Sequence, residues 1–181
     1  MSTLYVMVGI PASGKSTKAE ELVRKGAVII SSDKVREELF GDANIHYTDE
    51  WLQGLGYDGP EDNASKEMFA NRNVFDIVYR RCSESLRAGT DVIIDSTSCN
   101  RTARKLVLDN VRNAARRICL VMAVPYKTCC LRNSLRKRIV PDDAMKRIAG
   151  AFEFPKLEEG FDEIEYVGDI NDIDYGEAIS S

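Results

Sequence analysis

The sequence predicts a three-layer α/β sandwich with a mostly parallel central sheet, on two observations. Short apolar runs at 4–8, 27–30, 92–94 and 118–124 alternate with segments in helical spacing, the rhythm of repeated β-α-β units. These runs are apolar at successive positions rather than at every second one, so each strand hides both faces and needs helices on both sides of the sheet.

Residues 4–8 give the first strand, which stops at glycine. A helix follows over 16–25, with Ala19, Leu22 and Val23 on one face and Gly26 closing it. Residues 27–30 form the second strand, and 33–40 a short helix with Val35 and Leu39 inward. The stretch 41–65 carries Gly41, Gly54, Gly56, Gly59 and Pro60 among Tyr47, Trp51 and Tyr57, and reads as a long irregular insertion. A long helix spans 66–88, with Met68, Phe75, Val78, Cys82 and Leu86 in step. Residues 92–94 form a strand ending in Asp95, and 101–116 a helix. The strand 118–124 stops at Pro125, and two helices at 126–138 and 142–152 break at Pro141. A weaker strand covers 161–167. The organisation is one domain over 1–168, with the insertion at 41–65 and a lid region at 126–152, then an acidic tail at 169–181 that should fray.

The 181 residues suffice for a core without cross-links. A net charge of −4 argues against a wholly basic nucleic-acid coat and leaves a local basic patch open. The cysteines, Cys82, Cys99, Cys119, Cys129 and Cys130, are odd in number and lack a C-x-x-C pair, which points to a reducing cytoplasm rather than a disulfide or zinc framework. No apolar run is long enough for a membrane span or a leader.

Chemistry concentrates first at Gly9-Ile10-Pro11-Ala12-Ser13-Gly14-Lys15-Ser16, followed by Thr17. The pattern G-x-x-x-x-G-K-S, set between a strand and a helix, is the phosphate-binding P-loop. Its glycines let backbone N–H groups turn inward, and the helix aims its positive end at the phosphates. Lys15 reaches the β- and γ-phosphates, and the Ser16 hydroxyl ligates Mg²⁺. The cofactors expected are therefore ATP and Mg²⁺. A GTPase would need D-x-x-G and N-K-x-D, and neither string is present. A small kinase fits.

A kinase of a hydroxyl acceptor needs a base near the γ-phosphate. Asp33 lies just beyond the second strand, on the sheet edge where ligands bind in open α/β folds, and Arg36 follows three residues later on the same helix face. Asp33 can take the acceptor proton while Arg36 holds an acceptor phosphate. It can also simply cap its helix, because Ser31-Ser32-Asp33 is a good cap sequence. Asp95 ends its strand where a carboxylate can hold Mg²⁺ through water or orient a neighbouring side chain. Arg132 and Arg136, with Lys137 and Arg138, stand before Pro141. On a helix Arg132 and Arg136 share a face, as a basic lid closing over the nucleotide would require. The alternative is an ordinary solvated basic face. The basic run Arg101, Arg104, Lys105, Arg112, Arg116, Arg117 is equally a nucleic-acid track or a surface helix. His46 has no evident partner and receives no role.

With Gly9 to Thr17, Ser32-Asp33-Lys34-Val35-Arg36, Ile94-Asp95-Ser96-Thr97, Arg132-Asn133-Ser134-Leu135-Arg136 and Val140-Pro141 in place, the chain resembles the 5′-kinase domain of phage-type polynucleotide kinases and the small P-loop kinases around them. The resemblance spans about residues 4–167. It implies that Asp33 is the general base, that Arg36 contacts the 3′-phosphate of the acceptor nucleotide, and that Arg136 acts from the lid on the ATP phosphates beside Arg132. Asp95 joins Arg36 on the acceptor side. It further implies ATP-dependent phosphorylation of a nucleic-acid 5′-hydroxyl. A kinase of a small metabolite, nucleoside or aminoacyl-tRNA, or a non-catalytic ATP-binding switch, shares the same frame. The segment 41–65 departs from the family pattern where acceptor recognition is expected.

Overall fold

The computed structural model describes residues 2–96, 98–137 and 139–176. Its core is one sheet of five strands: β1 (Thr3–Val8), β2 (Val28–Ser31), β3 (Val92–Asp95), β4 (Arg116–Met122) and β5 (Glu163–Val167). They lie in the order β2-β3-β1-β4-β5, and every pairing is parallel. The side chains of β1 alternate between two layers. Leu4, Val6 and Val8 pack with Val74, Val78, Cys82 and Leu86 of helix α4 (Asn63–Arg87) and with Val107 and Leu108 of α5 (Arg101–Asn110). Met7 faces the other way, onto Ala19 of α1 (Lys15–Val23). Burying each such aliphatic side chain stabilises the fold by roughly 1.5–3 kcal/mol, and both layers contribute. A third cluster of Ile10, Cys99, Tyr126, Cys129, Met145, Ala149 and Tyr175 lies beneath the P-loop.

Several elements differ from the sequence reading, each for a physical reason. Helix α2 (Ser32–Phe40) buries Val35 but leaves Leu39 exposed, and Val23 at the end of α1 is exposed too. Helix α4 begins at Asn63, because Asp62 caps it by accepting the Ser65 N–H at 2.9 Å. Its buried stripe runs Ala70, Val74, Val78, Cys82, Leu86, which puts Met68 on the solvent side, 73% exposed. The segment 41–65 is not irregular throughout. It holds helix α3 (Asp49–Gly54), capped by Thr48 and buried through Leu52, and Trp51 meets Phe40 edge-on at 5.2 Å.

Helix α5 stops at Asn110, short of 116, because Arg116 pairs with Thr3 in the parallel β1–β4 ladder; sheet pairing overrides local helix preference there. Helix α6 (Tyr126–Ser134) stops before Arg136, and α7 (Asp142–Gly150) before Phe152. The tail does not fray over its described part. Asp174 Oδ1 accepts the Tyr126 N–H at 2.8 Å at the start of α6, and Tyr175 is 2% exposed. Residues 177–181 lie outside the described residues.

Candidate active site

Strand β1 runs straight into the P-loop at Gly9. A Cβ there would sit 2.6 Å from Ser13 Oγ and 3.0 Å from Met122 Cβ, so glycine is required. Ala12 takes a left-handed φ of 62°, which costs about 1–2 kcal/mol for an L-residue. Gly14, at φ 96°, begins α1 with no side-chain cap and no acidic residue in the first turn. The first helix N–H with an intrahelical partner is that of Lys18, to Gly14 O at 3.1 Å. The N–H groups of the turn before it, together with the helix dipole, make an anion cradle, and the residues present fit a nucleotide phosphate. Ile10 is fully buried in the cluster below, so it can offer a ligand only its backbone.

The Lys15 ammonium donates to Gly9 O at 2.6 Å and Ile10 O at 3.0 Å. Burial lowers its pKa, Cys99 and Asp95 oppose that shift, and the Arg136 charge adds to it. Asp95 stands beside Ser31 in the β2–β3 register. Burial raises the Asp95 carboxyl, the Lys15 charge counters it, and Asp33 reinforces it. The structure thus brings Lys15, Asp95 and Asp33 to one sheet edge.

Ser31, not Asp33, caps α2: its Oγ accepts the Lys34 N–H at 3.1 Å. The capping alternative for Asp33 is corrected on that ground. Arg36 is 8% exposed. Its Nη1 lies 3.3 Å from Asp33 Oδ1, its Nη2 donates to Asn71 Oδ1 at 2.8 Å, and its Nε is buried without a hydrogen-bond partner among the described residues. Asn71, on α4, carried no sequence signal of its own.

Arg132 occupies the last turn of α6, whereas Arg136 sits in the turn after it, with its N–H to Asn133 O at 3.1 Å. The two arginines do not share a helix face, because the helix ends between them; both nonetheless line the cleft. Asn133 closes that turn by donating to Val140 O at 2.8 Å and accepting from Val140 N at 3.1 Å. Thr97 and Arg138 lie outside the described residues. The basic run at 101–117 is not one surface. Arg104 is fully buried, Lys105 pairs with Asp109, and Arg116 pairs with Glu163.

The cleft measures about 1230 Å³. It is lined by Asp33, Arg36 and His46, by Lys15, Ser16, Thr17 and Asp95, and by Val124, Arg132, Val167 and Gly168. His46 and Arg147 are lining residues the sequence reading missed. His46 sat in a segment without periodicity, and Arg147 was one of several charges on an amphipathic helix.

The AAA domain profile AAA_33 matches residues 4–155, most of the chain. The chain belongs to this family. A search of the curated proteins returns no match. Among solved structures, the AAA_33 chain is similar to an unliganded sugar kinase from Janibacter sp., with TM-score 0.62, 14% identity, and 99% of this chain and 94% of that one covered. It is similar to a chain of the Pnkp1/Rnl/Hen1 RNA repair complex, with TM-score 0.58 and 22% identity, covering 81% of this chain and 42% of that one. It is also similar to Chaetomium thermophilum Kti12 in complex with ADP-AlF3, with TM-score 0.56 and 15% identity, covering 98% and 95%. At these identities the likeness establishes the fold alone, that of a P-loop kinase.

Proposed function

We propose that the chain is an ATP-dependent kinase that phosphorylates the 5′-hydroxyl of a nucleic acid. One observation supports this most: Asp33 and the buried Arg36 are held together in the same cleft that the P-loop lines. Arg36 keeps its Nε unmatched, and a buried donor of that kind calls for an anionic partner. A volume of about 1230 Å³ exceeds the ~300–1,000 Å³ of a usual small-ligand site, so two substrates can meet in it. The similarity to the RNA repair complex chain is compatible with this acceptor.

Bound ATP supplies the γ-phosphoryl group, with Mg²⁺ offsetting its charge. The P-loop backbone from Gly9 to Gly14, together with Thr17, would hold the phosphates, and the Ser16 hydroxyl would ligate the metal. Lys15 exchanges its two carbonyl partners for phosphate oxygens. Asp33 accepts the proton of the acceptor hydroxyl, and Arg36 holds the next phosphate of the acceptor. Arg136, with Arg132 beside it, neutralises charge on the transferring group from the lid turn. Asp95 steadies the Lys15 side of the site and the acceptor end next to it. Most of the acceleration comes from positioning and charge.

A second reading is favoured by the similarity, over nearly the whole chain, to the sugar kinase and to a gluconokinase from Sinorhizobium meliloti: Arg36 would then grip the carboxylate of a small metabolite. Labelled γ-phosphate transfer to 5′-hydroxyl oligonucleotides, nucleoside 3′-phosphates, nucleosides and sugar acids separates the two. Transfer to oligonucleotides, and to a nucleoside 3′-phosphate far better than to the bare nucleoside, is expected. Transfer to sugar acids alone would sink the nucleic-acid reading.

A further inference from the structure

We infer that His46 is a specificity residue for the acceptor, its ring serving as the platform on which the 5′-terminal base stacks. This rests on Asp33 and Arg36 marking the acceptor side of the cleft that His46 also lines. Of the described residues in 41–65, only Ala43 and His46 line the cleft. The turn that presents them is fixed from both sides. Asp42 Oδ1 accepts the Asn44 N–H at 2.8 Å, and Asp42 O accepts the Ile45 N–H at 3.1 Å. On the far side, Tyr47 Oη lies within hydrogen-bond distance of Asn63 Oδ1, at 3.1 Å, on the first turn of α4.

His46 is exposed and makes no hydrogen bond among the described residues. It lines the cleft from an exposed position, whereas its neighbours Ile45 and Asn44 do not line it. Ala43, three residues earlier, is small and leaves the ring room for a flat partner. Unstacked bases are held by stacking on aromatic rings, histidine among them. The phosphate would be gripped by Arg36 and the base by His46, so the two ends of one nucleotide fall on two elements.

The test compares the parent with His46→Ala and His46→Phe at saturating ATP. The acceptors are a 5′-hydroxyl oligonucleotide and the same oligonucleotide with an abasic first residue. His46→Ala should raise KM for the base-bearing acceptor roughly 5–150-fold, the range of one lost stacking contact. Its kcat and KM for ATP should stay within about twofold. His46→Phe keeps the face and should stay near the parent. All three proteins should share one KM on the abasic acceptor. The inference is overturned if His46→Ala leaves KM unchanged, raises it equally on the abasic acceptor, or is matched by His46→Phe. A parent that phosphorylates no oligonucleotide would overturn the function proposed above and this inference with it. An active parent with an indifferent His46→Ala overturns this inference alone.

Discussion

At the scale of single residues, Ser31 and Asp33 divide two jobs that neighbouring sequence positions leave entangled. Ser31 caps α2, so Ser31→Ala should cost about 0.5–2 kcal/mol of stability. Asp33→Asn should change stability by no more than a few tenths of a kcal/mol, because the cap stays in place. As the proposed general base, however, it should lose roughly 10²–10⁴ in turnover. Melting and transfer measured on the same samples check both; an active Asp33→Asn removes Asp33 from the mechanism. Asp95 carries the opposite trade. Burial raises its carboxyl above the unfolded value, so the fold favours the protonated form. That contribution is fully present below the unfolded pKa and is lost as pH rises through the folded one. At neutral pH the ionised carboxylate is therefore a cost. Asp95→Asn should melt higher than the parent at pH 7, lose that advantage in acid, and transfer phosphate more slowly. Equal melting at pH 7 would contradict the sign.

At the scale of elements, the proposed lid depends on a turn. Asn133 spans it with two bonds to Val140. Asn133→Ala leaves both backbone groups unmatched, at about 1–3 kcal/mol in stability, and frees the turn that carries Arg136. Transfer should fall beyond what melting explains, and Arg136→Lys, which keeps the charge but loses the fork, should fall with it while melting like the parent. The P-loop was legible in sequence because its function is written in backbone demands: a glycine where a Cβ would meet Ser13, and a helix left without a cap. The strands were legible from their unbroken apolar runs. Helix ends were not, since the stop at Asn110 is imposed by β1 lying alongside Arg116, a partner more than a hundred residues away. The tail misled for a similar reason. Asp174 and Tyr175 look like frayed acidic sequence until α6 and the cluster under the P-loop are there to receive them.

At the scale of the whole molecule, Arg104 is the residue whose role sequence most concealed. Inside a basic run it reads as surface, yet it is fully buried and grips Glu159 with two bonds at 2.7 and 2.8 Å. Its remaining edge holds the carbonyls of Ser98, Cys99 and Glu153, tying the loop after Asp95 to the chain beyond α7. Breaking the pair from one side, as in Arg104→Met, should cost about 3–5 kcal/mol by denaturant unfolding. The double variant Arg104→Met/Glu159→Leu should recover only part of that, because three carbonyls stay unanswered. The pair also sets an acid limit. Burial alone would raise the Glu159 carboxyl, but the Arg104 bonds prevail and hold it low. Its contribution is present above the unfolded value of about 4.3 and is lost as pH falls through the folded one. Stability measured through that window should decline in the parent, and Glu159→Gln should lack this share of the decline.

The strand order has a consequence for descent. The proposed phosphate-donor side of the cleft rests on β1 and β4, interior strands with a neighbour on each side, and a change there disturbs the whole sheet. The proposed acceptor side rests on β2, at the sheet margin, and on the 41–65 segment. Much of that segment is fastened by surface ties: Tyr47 to Asn63, and Lys66 to Asp49 and Glu61. Exposed ties of this kind each contribute little, so lineages can rewrite this margin at small cost while the phosphate cradle stays fixed. One inherited engine can in this way be refitted to new cargo by drift at its rim.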